Sequence, residues 1–173
     1  QRTIPALSGD FVKSQEEVAI ANLLWINGIK FKYEKRYDHN LADANNRQYQ
    51  PDFYYPDIDL WHEHFALDGN ARAPEFMDRI QYEQGVEWKR GVHSENQTKF
   101  FETTSHDYFT GKLDNKILER LTREGLEFHP RSDEEIEEKV KEFYVLKEFN
   151  LLSQFIKFAK TLDLNEQDIE NKK

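Results

Sequence analysis

The sequence predicts an α/β domain followed by a helical appendage. Three observations carry this. Apolar residues switch between helical and alternating spacing in the order α-β-β-β-α-β-α. Aromatic residues make up 14 % of the 173 residues, enough to fill a core, while 33 % are charged and suit a polar surface. Beyond Pro130 only helical spacing is left.

Each element has a local reason. Ser14-Gln15-Glu16-Glu17 fits the S-x-x-E capping box, and Val18, Ile20, Ala21, Leu23, Leu24 and Ile26 make a helix too apolar to stand alone, ending at Asn27-Gly28. Residues 29–35 alternate Ile29, Phe31 and Tyr33 with Lys30, Lys32 and Glu34, the period of a half-exposed strand. Residues 38–47 are polar and predict a loop. Residues 50–55 and 57–67 are aromatic-rich strands separated by Pro56, which cannot donate to a sheet ladder, and Asp68-Gly69-Asn70 closes the second. Residues 74–94 predict a helix despite Gly85 and Gly91, residues 98–104 (TKFFETT) a fourth strand, and residues 113–124 a helix closed by Gly125. Ser132-Asp133-Glu134-Glu135 is a second capping box, followed by Ile136, Val140, Phe143, Leu151, Leu152, Phe155, Ile156 and Phe158-Ala159 at helical spacing. The organisation expected is a linker over 1–12, an α/β domain over 13–128 and a helical segment over 129–173.

Composition excludes several classes. No run approaches the roughly 18 consecutive apolar residues of a membrane span, and QRTIPALSGDF lacks the basic and apolar regions of a signal peptide, so a cytoplasmic protein with no membrane partner is expected. The start at Gln1 resembles an interior linker and predicts a piece of a larger protein. With no cysteine, disulfides and thiolate metal sites are excluded, and a metal here would be a hard cation such as Mg²⁺ or Mn²⁺. The net charge of -9, from 33 acidic and 24 basic residues, opposes free-standing DNA binding. Lys30, Lys32, Lys35 and Arg36 form only a small basic patch, so weak DNA binding is expected of this chain alone. There is no G-x-x-x-x-G-K-[ST] loop for ATP phosphates.

The segment PDFYYPDIDLWHEHF holds the candidate chemistry. Asp52 and Glu63 fall on adjacent strands joined by a tight turn, so a hairpin would bring two hard oxygen donors to one edge, where they could hold Mg²⁺ or Mn²⁺ and activate water for phosphodiester cleavage. The ordinary alternative is an acid at a turn and an exposed acid on a strand. His62 and His64 alternate with Glu63 and therefore share the opposite face, where cross-strand hydrogen bonding is the usual role; Glu63 takes its face with Trp61 and Phe65.

Pro51-Asp52 followed by Glu63, within an α-β-β-β-α-β order, resembles the PD-(D/E)xK motif of the restriction-endonuclease-like nucleases. The resemblance implies a restriction-endonuclease-like core with Asp52 and Glu63 as metal ligands and Glu17, on the first helix, as an accessory acid. Glu17 is equally the third helical position of the Ser14 capping box, where it would satisfy a backbone N–H. The motif's lysine is missing: two residues after Glu63 stands Phe65. Lys89 falls on the helix face of Tyr82, Val86, Val92 and His93, and resembles the lysine that has moved to this helix in some members of the superfamily; its alternative is a stem covering apolar surface with the ammonium in water.

Over nearly its whole length the chain resembles the region inserted in bacterial UvrD/Rep-type superfamily I DNA helicases related to DNA helicase IV. The specific stretches are S-x-E-E-x-x-I-A-N (14–22), P-D-F (51–53), E-H-F (63–65), W-K-R-x-x-H (88–93) and FNLLSQFIKFAKTLDL (149–164). This implies a nuclease-like module lodged in an ATP-dependent DNA-repair helicase, with DNA and the remaining motor as partners, ATP bound only by the rest of the parent, and the C-terminal helices belonging to a helicase subdomain. A catalytically inactive module contacting DNA or the motor is the other reading of the same resemblance.

Overall fold

The computed structural model describes residues 3–42 and 48–161. They fall into two compact units, one ending at Pro130 and one beginning at Arg131. The fold is mixed α/β. Among the described residues no helix is long and apolar enough to cross a membrane.

In the first unit, a short hairpin of β1 (Ile4–Pro5) and β2 (Phe11–Val12) leads into α1 (Gln15–Ile26). Residues 3–12, expected to be a linker, are thus an ordered part of this unit, because Ala6 and Val12 bury their side chains in its main core. Ser14 caps α1 by accepting the Glu17 N–H (3.1 Å). The helix stops at Gly28, whose φ of +64° suits glycine. A side chain there would also collide with the His129 carbonyl, 2.1 Å from the place of a Cβ, where the end of this unit folds back on α1.

The main sheet has the order β3 (Lys32–Tyr33), β4 (Phe53–Tyr55), β5 (Leu60–Phe65), β6 (Lys99–Thr104). The first three are antiparallel neighbours, and β6 runs parallel to β5 after a crossover through α2 (Arg79–Glu95). The short α3 (Ser105–Phe109) and α4 (Leu113–Arg123) follow. Helices cover both faces. Phe53, Tyr55, Leu60 and Phe101 pack with Ile20, Ala21 and Leu24 of α1 and with Leu113, Ile117 and Leu121 of α4. On the other face Trp61 packs with Tyr37, Tyr49 and Val92, and Phe65 with Leu67 and Val86, so α2 lies over it.

Several boundaries differ from those expected. The strand over 29–35 shrinks to β3: the Ile29 N–H is spent on the Leu24 carbonyl (2.9 Å) at the end of α1, and Glu34 takes a φ of +48° that ends the extended run. The helix expected from residue 74 begins at Arg79 because the Asp78 side chain accepts the Gln81 N–H (3.1 Å) and caps it there. Thr104 and Asp107 form a capping box that starts α3, an element the spacing of apolar residues did not announce. Of the loop expected over 38–47, residues 43–47 lie outside the described residues.

The second unit holds α5 (Asp133–Thr161). Ser132 and Glu135 exchange both capping bonds, the Ser132 N–H donating to Glu135 Oε2 (2.9 Å) and the Glu135 N–H to Ser132 Oγ (3.2 Å). The last three residues of the stretch 149–164 lie outside the described residues.

Candidate functional site

Strand β5 is covered on both faces, so its polar side chains must find partners within the protein. Phe53 stands opposite His62 in the β4–β5 ladder, and one step along the same register sets Asp52 opposite Glu63. Directly opposed residues share a face. The two carboxylates of the sequence motif are therefore together on the α2 side. Asp52 Oδ2 accepts the His64 backbone N–H (2.8 Å), which fixes it to the end of the ladder.

Lys89 arrives from α2. Its Nζ donates to Glu63 Oε2 at 2.7 Å, and the Glu63 side chain is 1 % exposed against 31 % for Lys89. Its ammonium stands 5.5 Å from the centre of the Phe65 ring. Phe65, two residues after Glu63 on β5, thus has an ammonium supplied by α2 above its ring. The Lys89 ammonium therefore meets a carboxylate instead of standing in bulk water. Burial pulls the Lys89 pKa down, but the charges of Glu63 and then Asp52 outweigh it and leave the pKa raised. Asp52 is pushed well above the ordinary aspartate value, first by burial and then by the Glu63 charge; Lys89 and the His64 N–H offset this only in part, and Glu17 adds to it.

Glu17 belongs to the helix start. Its Oε2 accepts the Tyr33 hydroxyl (2.5 Å) and the Lys13 N–H (3.0 Å), and its Oε1 accepts the Ser14 hydroxyl (3.0 Å). The capping role is the one its contacts display, with the reciprocal bond going to Lys13 N–H rather than Ser14 N–H. Its charge still reaches Asp52.

His62 and His64 lie on the α1 face, as their alternation with Glu63 requires. His62 bonds the Tyr55 hydroxyl (2.9 Å) and Thr103 Oγ1 (2.8 Å). His64 bonds the same Thr103 oxygen (2.8 Å) and Glu16 Oε2 (2.6 Å), which also accepts the Ser105 hydroxyl (2.7 Å). Burial, reinforced by His64, holds the His62 pKa far below its usual value, so His62 is neutral.

Two residues at the site were not singled out from the sequence. The Tyr49 hydroxyl donates to Glu63 Oε1 (2.7 Å), filling the oxygen that Lys89 leaves. Behind it, His93 Nε2 lies 3.2 Å from the Tyr49 oxygen, His93 Nδ1 2.8 Å from Thr98 Oγ1, and Thr98 Oγ1 2.7 Å from the Tyr37 hydroxyl. Proton count sets the direction of this chain. Glu63 can only accept, so Tyr49 spends its one proton there and His93 Nε2–H must donate to Tyr49. Burial and then Lys89 lower the His93 pKa to about 4, so the ring is neutral and its Nδ1 must accept from Thr98, leaving Tyr37 to donate to Thr98. His93 was findable as the residue one helical turn beyond Lys89. Tyr49, in an irregular loop, gave no periodic signal.

Together Asp52, Glu63 and Lys89 present two hard-oxygen donors and an ammonium at one place. Among the described residues no group of three His, Cys, Asp or Glu is arranged to hold a metal ion. Comparison of the chain with family models, with curated proteins and with solved structures finds no match in any of the three.

Two outcomes are expected. Because folding raises the Asp52 pKa, the folded chain holds a proton where an unfolded aspartate has released it, and ionising Asp52 removes stability as the pH rises above about 4. Asp52→Asn, which keeps an acceptor for the His64 N–H, should therefore be more stable than the parent sequence by on the order of 1 kcal/mol at pH 8, the gain closing as the pH falls toward 4; urea unfolding across that range measures it. Tyr49→Phe should cost about 1–3 kcal/mol in the same measurement, because it strips a donor from buried Glu63 and orphans His93 Nε2–H.

Proposed function

We propose that the first unit is a PD-(D/E)xK-like, restriction-endonuclease-like domain of an ATP-dependent UvrD/Rep-type DNA helicase, cleaving DNA phosphodiesters with Mg²⁺ or Mn²⁺. One observation carries the reading: the Lys89 ammonium lies 2.7 Å from Glu63 Oε2, with Asp52 in the opposing position of the hairpin. The succession α1-β3-β4-β5-α2-β6 supports it, being the order expected of such a core. The helicase assignment rests on the sequence resemblance. The exposed Tyr144, Val145, Phe149, Leu151, Leu152 and Ile156 of α5 suit a helix that meets the remainder of a motor. ATP belongs to that remainder, and the parent would be a cytoplasmic DNA-repair enzyme.

The donor set fits a hard divalent cation in its chemistry: opposed carboxylates, no sulfur, and an internal ammonium already balancing part of their charge. Asp52 and Glu63 would hold the metal, which when bound lowers the pKa of a water and neutralises charge on the phosphate. The chain's own residues do the rest. Tyr49 and the donor chain behind it keep Glu63 in one orientation, so little reorganisation is left for the reaction itself. Lys89, kept protonated by the two carboxylates, can orient a nucleophilic water or hold a proton at the departing oxygen. Glu17 acts on Asp52 through its charge alone.

A second reading has its own observation. Each Glu63 oxygen already accepts a bond, from Tyr49 and from Lys89, so a cation at Glu63 competes with the Lys89 ammonium for its charge. If Lys89 stays, this is a nuclease fold without cleavage that serves DNA or motor contacts. Assays on the full parent protein separate the two. Asp52→Ala should reduce Mg²⁺-dependent nicking at least ~100-fold, or about 2.7 kcal/mol of barrier, and leave DNA-stimulated ATP hydrolysis intact. An unmutated parent that hydrolyses ATP but never nicks DNA with Mg²⁺ or Mn²⁺ establishes the inactive module.

A further inference from the structure

On the α2 side of the sheet, next to Lys89, lies a groove of about 420 Å³ lined by Phe65, Gln81, Tyr82, Gly85, Val86 and Lys89, with Met77 and Asp78 at its other end. Its surfaces differ in chemistry. Phe65 and Val86 are buried apolar side chains forming its floor. Tyr82 is held in place by the Ala66 N–H, which donates to its hydroxyl (2.7 Å). Gln81 offers an exposed amide at the rim. The two charged groups along it are the Asp78 carboxylate, which caps α2 at the outer end, and the Lys89 ammonium at the inner end.

Gly85 supplies an independent indication. It sits in the interior of α2, where glycine weakens a helix relative to alanine. Nothing in the protein demands it: no left-handed φ is found there, and a Cβ built on Gly85 meets no atom within 4 Å. What a side chain would fill is the groove. Gly91 on the same helix is equally uncrowded but lies outside the groove.

Resting on the nuclease reading above, we infer that this groove seats one unpaired nucleobase of a single-stranded DNA whose adjoining phosphate lies at Lys89. A nucleobase has a flat apolar face that the half-buried Tyr82 ring matches above the closed floor of Phe65 and Val86, a polar edge that Gln81 can meet, and an adjoining anion that an ammonium attracts. A paired base cannot enter a groove on a helix surface without leaving its duplex, so the site selects single strands, frayed ends or flaps. Phe76, next to groove-lining Met77 and 85 % exposed, offers an aromatic face for a neighbouring base.

The test uses the whole chain, Ca²⁺ in low-salt buffer and a fluorescent eight-nucleotide oligothymidylate, alongside versions of it carrying one abasic position. Fluorescence anisotropy should show that an abasic position at one place in the oligonucleotide weakens binding about tenfold, within the range of base–aromatic stacking. Gly85→Leu should weaken the intact oligonucleotide similarly, lose the abasic effect, and melt at or above the parent temperature; Gly91→Leu should bind as the parent does. Binding by Gly85→Leu equal to the parent, indifference to an abasic site at every position, or no binding by the parent protein overturns the inference. The abasic series on the unmutated chain decides the matter even if Gly85→Leu fails to fold. A parallel Mn²⁺ titration distinguishes the two readings. Base-dependent binding without Mn²⁺ at Asp52 removes the nuclease and leaves the groove, whereas Mn²⁺ binding without base dependence does the reverse.

Discussion

A carboxylate buried in the central strand of a two-sided sheet must be paired, and the arrangement around Glu63 follows from that. Its side chain is almost completely sequestered, and leaving a charge there unpaired would cost several kcal/mol. Lys89 satisfies one oxygen, which requires α2 to cross this face with residue 89 directed at the sheet. Tyr49 satisfies the other, which pins the loop before β4 against α2. The donor chain through His93, Thr98 and Tyr37 then ties the loop, the end of α2 and the start of β6 into one hydrogen-bonded unit. Replacing a buried ion pair with apolar side chains is often neutral or stabilising. Fold stability alone therefore gives little reason to keep Glu63 and Lys89 together, which is compatible with the role proposed for them.

Strand β5 divides its polar groups between two faces with different purposes. His62 and His64 lie over α1 in a closed network with Tyr55, Thr103, Glu16 and Ser105, where a neutral His62 and complete hydrogen bonding make the layer a polar core. Among the described residues no buried side-chain nitrogen or oxygen lacks a partner. The α2 face is different. Its carboxylates share one ammonium, their charges act on each other, and the apolar groove opens beside them.

Much of this was legible in the sequence wherever periodicity or a cap spoke for a residue. The two-residue alternation of β5 put Glu63 with Trp61 and Phe65 and away from the histidines, and the helical register of α2 put Lys89 toward the sheet. Ser14 announced the start of α1. What was not legible depended on irregular backbone. Strands of two residues, such as Ile4–Pro5 and Phe11–Val12, carry no period, so the N-terminal hairpin read as a linker. Glu34 and Asp59 take positive φ without being glycine, which cut β3 short and shaped the β4–β5 turn in ways that composition does not encode. Tyr49 reaches Glu63 from a loop, through a contact made only once the sheet and α2 are assembled.

The cation site proposed at Asp52 and Glu63 has the Lys89 ammonium paired with Glu63 in the free chain. A crystal soaked in Mn²⁺, with the ion located by its anomalous scattering, tests this most directly. The account predicts one Mn²⁺ bridging the Asp52 and Glu63 carboxylates, with Lys89 Nζ displaced from Glu63 Oε2 and the Tyr49 bond to Oε1 retained. An intact Lys89–Glu63 pair with no ion at Asp52, at Mn²⁺ concentrations that saturate other carboxylates on the surface, would contradict it.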